Sequence, residues 1–527
     1  MKLFPLISVA LLLAPLQASQ ITNLYRTDGS DPGSEYGNAL CSIGDINQDA
    51  VDDLAICAWK TDSNGLSDNG AVHVLSGIDG TELYRRDGSV SGICFGKSVA
   101  SLGDIDGDGI PDFIVGANDE GQQSSLVGEA FIYSGASGVL LFSVSSQQPG
   151  DLFGYAVCGT GDLNDDGIPD FAVGAPNANG LVANSGAVYL FSGLDGTLIN
   201  QIGGGLTDSR FGATIVSDFM NFDRFQDLII GSPGLTSGFP GVVSVFSGKA
   251  SSLLNNYIGI SAGDSFGKSI ATIDYDLDGF NDILVGAPTN TATLGYLKGY
   301  FRVISGFSNA ILFEKYGPFH TNLGSAVANL GDVNFDGYPD IAVSTSNANV
   351  TSTSQGRITV YSGIDSTKLG TFSDQNGNPS RFGETLAIVP NLDRDSSPDL
   401  LVGAPAETGQ GKPGRIYTYS IILGDQPTFV FTNFYSGQRT HLGIYFCMPN
   451  NAAVIAWSLT GGGPIQTPFG PGYVSPPYKT IFFNTDANGS AGMSKLLPPN
   501  SSGMSVWFHG VDLGRGYLFH PKNLIIG

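Results

Sequence analysis

The sequence repeatedly gathers three or four oxygen-bearing side chains into nine residues, in the pattern D-x-[DN]-x-D-G-x-x-D. Asp104, Asp106, Asp108 and Asp112 make one complete copy, and Asp274, Asp276, Asp278 and Asp282 another. Two further copies exchange one carboxylate for an amide that still offers a carbonyl oxygen: Asp162, Asn164, Asp166 and Asp170, then Asp332, Asn334, Asp336 and Asp340. Asp45, Asn47, Asp49 and Asp53 are followed through the turn by Ala50 where the glycine belongs, which strains the turn if φ there must be positive. Asn391, Asp393, Asp395 and Asp399 begin with an amide and have Ser396 in the glycine position. A last copy has Phe219 first and Arg224 sixth, leaving Asn221, Asp223 and Asp227. That site is expected to be empty, with Arg224 in the place of the cation.

When such a loop curls, the oxygens at positions 1, 3 and 5 converge, the residue at 7 offers its carbonyl and the aspartate at 9 closes the shell. Hard oxygen ligands on a flexible turn suit calcium better than magnesium, which holds its water, or zinc, which prefers nitrogen and sulfur. The positions named above carry 22 of the 48 acidic residues. Turn capping accounts for one or two aspartates per loop, but three or four converging carboxylates repel one another without a cation. Calcium is therefore the expected cofactor, with up to about six ions.

The first positions of these loops fall at 45, 104, 162, 219, 274, 332 and 391, a period of 55 to 59 residues. A period of that length signals a repeat architecture. Each unit offers four strand-like runs. In the second, KSVASLG precedes the acidic turn, the apolar DFIVGA follows it, and GEAFIYSG and GVLLFSVSS come after a polar loop. Four antiparallel strands per unit around a ring define an all-β, seven-bladed β-propeller. The seventh unit has no clear fourth strand, whereas ITNLYRTDGS at 21–30 precedes the first unit and matches TELYRRDGS at 81–89. The N-terminal segment is expected to complete blade seven and remove an open sheet edge. The propeller then spans 19–424. Residues 1–18, with Lys2 before an apolar run, read as a signal peptide. From 425 to 527 a second, β-rich domain is expected, a small sandwich interrupted by the Gly/Pro-rich stretch 461–477.

Phe-Gly recurs before the first strand (Phe95-Gly96, Phe153-Gly154, Phe211-Gly212, Phe266-Gly267, Phe382-Gly383) and Gly-Ala-Pro after the second (at 174–176, 286–288 and 403–405). In phase with the acidic loops, this pattern resembles the FG-GAP repeat of integrin alpha-subunit propellers. Tyr36 and Leu323 replace the Phe, and units one and six end their second strands in Cys57-Ala58-Trp59 and Ser344-Thr345-Ser346. The resemblance implies calcium loops on the bottom face that stiffen the hairpins, and a ligand received on the top. Trp59, Arg210, Phe319, His320 and Arg381 map to that top side and are the candidate ligand-binding residues.

A formal charge of −24 argues against nucleic acid and favours cationic or neutral partners. No apolar run after the leader is long enough to span a membrane. The reading is a secreted or cell-surface adhesion or recognition module for an extracellular protein or glycan. The alternatives are a polysaccharide lyase or hydrolase built on the same propeller, or a structural surface component. No G-x-S-x-G, HExxH or P-loop signature supports an enzyme. Cys41 and Cys57 flank one hairpin symmetrically, as a disulfide or as free buried thiols.

Overall fold

A computed structural model of the chain describes residues 20–422 apart from 121–125, 147, 235–237, 289–298, 319–320, 335, 347–355, 375–380, 391, 394–396 and 406–412; beyond 422 it describes the strands only. Seven four-stranded sheets follow one another along the sequence. In blade two the strands are Phe95–Gly103, Asp112–Ala117, Glu129–Tyr133 and Leu140–Ser145, paired antiparallel in that order. The first strands of successive blades lie side by side around the ring, blade seven against blade one included. Each second strand is buried along its whole length, as its unbroken apolar run requires. The fourth strands are far more exposed. No helix occurs among the described residues, so none is long and apolar enough to cross a membrane.

A pair of glycines explains why most blades pack so closely; blades one and six carry Cys57 and Ser344 at the second position. A Cβ on Gly116, at the end of the second strand of blade two, would lie 2.1 Å from the carbonyl oxygen of Gly154 in blade three. The same contact, 2.2 Å between Gly403 and the Gly37 oxygen, joins blade seven to blade one. These are the glycines of the two recurrent motifs, so the motif pair is the seam between blades. A hydroxyl reinforces it: Ser98 Oγ donates to Gly154 O at 2.9 Å, and Thr385 Oγ1 to Gly37 O at 2.8 Å.

In blade seven the strand Gln20–Asp28 lies beside Arg415–Ile422, followed by Asp399–Ala404 and Thr385–Val389. Thr418 Oγ1 bonds both the N–H and the carbonyl of Tyr25, at 3.1 and 3.0 Å. Leu24 and Tyr25 pack on the core shared by blades seven and one, with Tyr36, Leu54, Ile56, Leu401 and Ile416.

The chain forms two compact units, the propeller and a second one that takes in 422–527. Its sheets are Thr428–Thr432, Arg439–Tyr445 and Ala491–Leu496, then Lys479–Asn484, Ala452–Ser458 and Ser505–Asp512 with two short strands on the latter. The strand Ala491–Leu496 escapes a pattern reading because AGMSKL alternates poorly. The Gly/Pro-rich stretch holds a small hairpin, Ile465–Thr467 with Gly470–Gly472. The register places Cys41 opposite Ala55, and Cys41, Cys57, Cys94 and Cys158 are free thiols. Residues 1–18 and Cys447 lie outside the described residues.

Deleting residues 21–28 should bare the edge of Arg415–Ile422 and lower the melting temperature, with aggregation visible by light scattering. A deletion variant as stable and monomeric as the parent would show that closure comes from elsewhere.

Candidate functional site

Every acidic loop joins the first strand of its blade to the second. Its shape is set by carboxylates accepting backbone N–H groups. Asp104 takes Gly107 N at 2.7 Å and Gly109 N at 2.9 Å on its two oxygens, and Asp108 takes Ile110 N at 2.8 Å. Positions 4 and 6 are both left-handed: Gly107 and Gly109 at +78° and +87°, Asp165 and Gly167 at +68° and +89°, Leu277 and Gly279 at +60° and +85°. Blade one adopts the same turn with Ala50 at φ +70°, so the alanine bears the expected strain.

This curl brings Asp104, Asp106 and Asp108 together, and likewise Asp274, Asp276 and Asp282, each set with its oxygens within 4.8 Å of one another. Such a donor set fits a hard divalent cation. Where an amide stands third, it bonds its neighbour instead. Asn164 Nδ2 donates to Asp166 at 2.7 Å and Asn334 Nδ2 to Asp336 at 2.8 Å. In blade one Asn47 Nδ2 reaches Asp53 at 3.2 Å, beside Asp45 and Asp49, which fold the turn. Asp278 accepts the N–H of Phe280. Of the blade-seven set, Asn391 and Asp395 lie outside the described residues, while Asp393 and Asp399 are described.

Blade four departs. Without a carboxylate at position 1, neither Phe222 nor Arg224 is left-handed. Arg224 does not turn into its own loop, as the sequence suggested. It reaches the exposed carboxylate of Asp165 in blade three at 2.6 Å, beside Lys249 at 2.7 Å.

The ninth-position aspartate has a second task that spacing did not reveal. Asp53, Asp112, Asp170, Asp227, Asp282, Asp340 and Asp399 are all fully buried. One oxygen accepts the N–H of loop position 2, at 3.0 Å in blade one and 2.7 Å in blade two. The other accepts the glycine N–H of the turn between strands three and four: Gly77, Gly135, Gly193, Gly248, Gly306 or Gly363. Blade four keeps this staple although its loop is altered. Burial pushes Asp53, Asp227 and Asp282 up to about 6 against the pull of those N–H groups, and raises Asp112 and Asp170 too.

Antiparallel connectivity puts the other candidates at the opposite end of the blades. Trp59 and Arg381 converge on Glu35, a residue the sequence did not single out. Trp59 Nε1 donates to it at 3.1 Å, Arg381 at 3.2 Å and Lys60 at 2.9 Å. Lys97 pairs with Glu120 at 2.7 Å and lies over Trp59, 4.1 Å from its ring centre, and over Tyr155 at 5.3 Å. Arg210 covers Tyr155 at 5.0 Å. An arc of charged and aromatic side chains thus runs through blades seven, one, two, three and four. Phe319 and His320 lie outside the described residues. A signal for the missed members exists: Glu35, Arg210 and Arg381 each precede the Phe or Tyr of the motif, and Lys97 and Tyr155 each follow its glycine.

Comparison with known proteins agrees with this geometry. The FG-GAP repeat matches residues 95–130, 153–191, 266–299, 323–361 and 382–419, which are blades two, three, five, six and seven. The chain is a β-propeller protein built of FG-GAP repeats. Its propeller is integrin-alpha-like: it is 31% identical over 222 residues to human integrin alpha-8 and 31% over 214 residues to chicken integrin alpha-V, in each case 37% of this chain and 20% of the relative. Human integrin alpha-6 is 32% identical over 168 residues, 30% of this chain and 14% of the relative. The chain thus spans about a fifth of the length of the first two relatives.

Asp227→Ala should cost about 2 kcal/mol, since it strands buried N–H groups. The folded state holds the Asp227 proton more tightly than the unfolded chain, so the proton-linked part of its contribution is full below pH about 4 and lost as pH rises through 6. The loss in the variant should therefore be larger at pH 5 than at pH 8, read by denaturant titration.

Proposed function

We propose that the chain is an exported recognition module in which calcium stiffens the bottom-face hairpins and an extracellular protein or glycan docks on the top face. The arc from Arg381 through Trp59 to Arg210 carries this reading. It gathers side chains from five blades onto the end away from the acidic loops, and mixed aromatic and charged surfaces of this kind favour specific contacts. The likeness to integrin alpha subunits supports the same class of function.

Calcium is the cation that the oxygen-only donor sets favour, and the loops of blades two and five should bind it most tightly. There all four side-chain donors are carboxylates, with no amide among them. Cation bound only by the folded loops adds its binding free energy to stability. Excess EDTA should lower the melting temperature, and an unchanged melt would refute the assignment. Asp108→Ala should remove one ion from the stoichiometry measured by equilibrium dialysis, and Asp223→Ala none.

The docking face is tested by blocking it. Leu181, 78% exposed in the top loop of blade three, and Phe222, 86% exposed on the bottom, provide the pair. Against an immobilised panel of matrix proteins and glycans, Leu181→Arg should abolish the binding seen for the parent and Phe222→Arg should leave it intact. The reverse pattern would place the ligand on the bottom.

A further inference from the structure

Most of the top arc is neutralised from within. Glu35 takes Trp59, Lys60 and Arg381, and Glu120 takes Lys97. Two cations at its blade-four end are different. Among the described residues neither Arg210 nor Lys268 has an ion-pair partner. Arg210 Nε is buried with no hydrogen-bond acceptor, although the guanidinium is held in place over Tyr155, 5.0 Å from the ring centre. A guanidinium is a fork of donors that cannot lose its charge, so with Nε buried its remaining N–H groups are the ones an outside acceptor can reach. Lys268, in the position after the motif glycine of blade five, acts on the same phenol. It is foremost in drawing Tyr155 below the usual phenol range, with Arg210 and Lys97 adding to it.

We infer that Arg210, held over Tyr155, forms with Lys268 a slot for one carboxylate of the docking partner, an aspartate or glutamate side chain on a protein. This rests on the top-face reading and reverses the preference for cationic partners that net charge alone gives. The slot offers two cations without an ion pair, and Glu120, which is paired with Lys97, also acts on Arg210. A polyanionic glycan would meet the self-paired remainder of the arc and a chain of formal charge −24, whereas a single projecting acid avoids both. A forked guanidinium and a carboxylate match in geometry, and the ammonium supplies the second charge.

The test uses the whole calcium-loaded protein and end-blocked pentapeptides, Gly-Gly-Asp-Gly-Gly and its Asn twin, titrated by ligand-observed NMR. The Asp peptide should bind about tenfold more tightly than the Asn peptide, and Arg210→Gln should erase the difference. Lys268→Gln, at an exposed position, should do the same and keeps the test open if Arg210→Gln fails to fold. Lys249→Gln on the bottom face should change nothing. Equal binding of the two peptides, no binding of either, or a difference that survives both variants would overturn the slot. So would trigalacturonate binding that depends on Arg210 where the peptides do not bind. A panel ligand blocked by Leu181→Arg but indifferent to Lys268→Gln would leave the docking face standing and remove the slot alone. Indifference to both would remove the face as well.

Discussion

One buried carboxylate per blade holds the bottom of the propeller together. The aspartate that opens each second strand has no exposed surface, and in blades one to six its two oxygens take N–H groups from two different turns. One turn joins strands one and two, the other strands three and four. A charge removed from water must be fully hydrogen-bonded to persist, so these two turns cannot shift independently. Blade seven shows the limit of the device. Its fourth strand comes from the N-terminus, so it has no turn between strands three and four to staple. There the hydroxyl of Thr418, bonded to Tyr25, ties the strand in.

The acidic cluster of each loop is layered on this staple rather than identical with it. Blade four has lost the first-position carboxylate and the left-handed turn that goes with it, yet Asp227 still accepts Met220 N and Gly248 N. The fold can therefore give up one complete acidic loop without giving up a blade. The exposed aspartate of the neighbouring loop is neutralised by Arg224 and Lys249 instead.

The two ends of the blades are chemically unlike. The bottom carries clustered carboxylates, while the top carries an arc in which cations outnumber the acids that pair with them. Backbone geometry builds that arc. The residue before the motif Phe or Tyr is left-handed in Glu35, Arg210 and Arg381, at +57°, +58° and +50°. Left-handed non-glycine residues are uncommon and cost energy. Their recurrence in phase places successive side chains on one rim.

Composition, period and motif phase determine the seven blades, the four strands in each and the location of every acidic loop, because strand burial and turn chemistry are local properties written in residue type. The Gly-Ala-Pro glycine is legible as a repeat, but only the fold shows that it abuts the carbonyl of the next blade's Phe-Gly glycine. The ninth aspartate is legible as an oxygen donor, but its bond to Gly135 N or Gly193 N spans 23 residues and cannot be read from spacing. Arg224 bonds Asp165 across 59 residues, and Glu35 meets Arg381 across 346. Those partners are chosen by which blades are neighbours in the closed ring. Ring closure is a property of the whole chain, and it alone decides which charges are neutralised by an ion pair and which, like Arg210, are stacked on a ring without one.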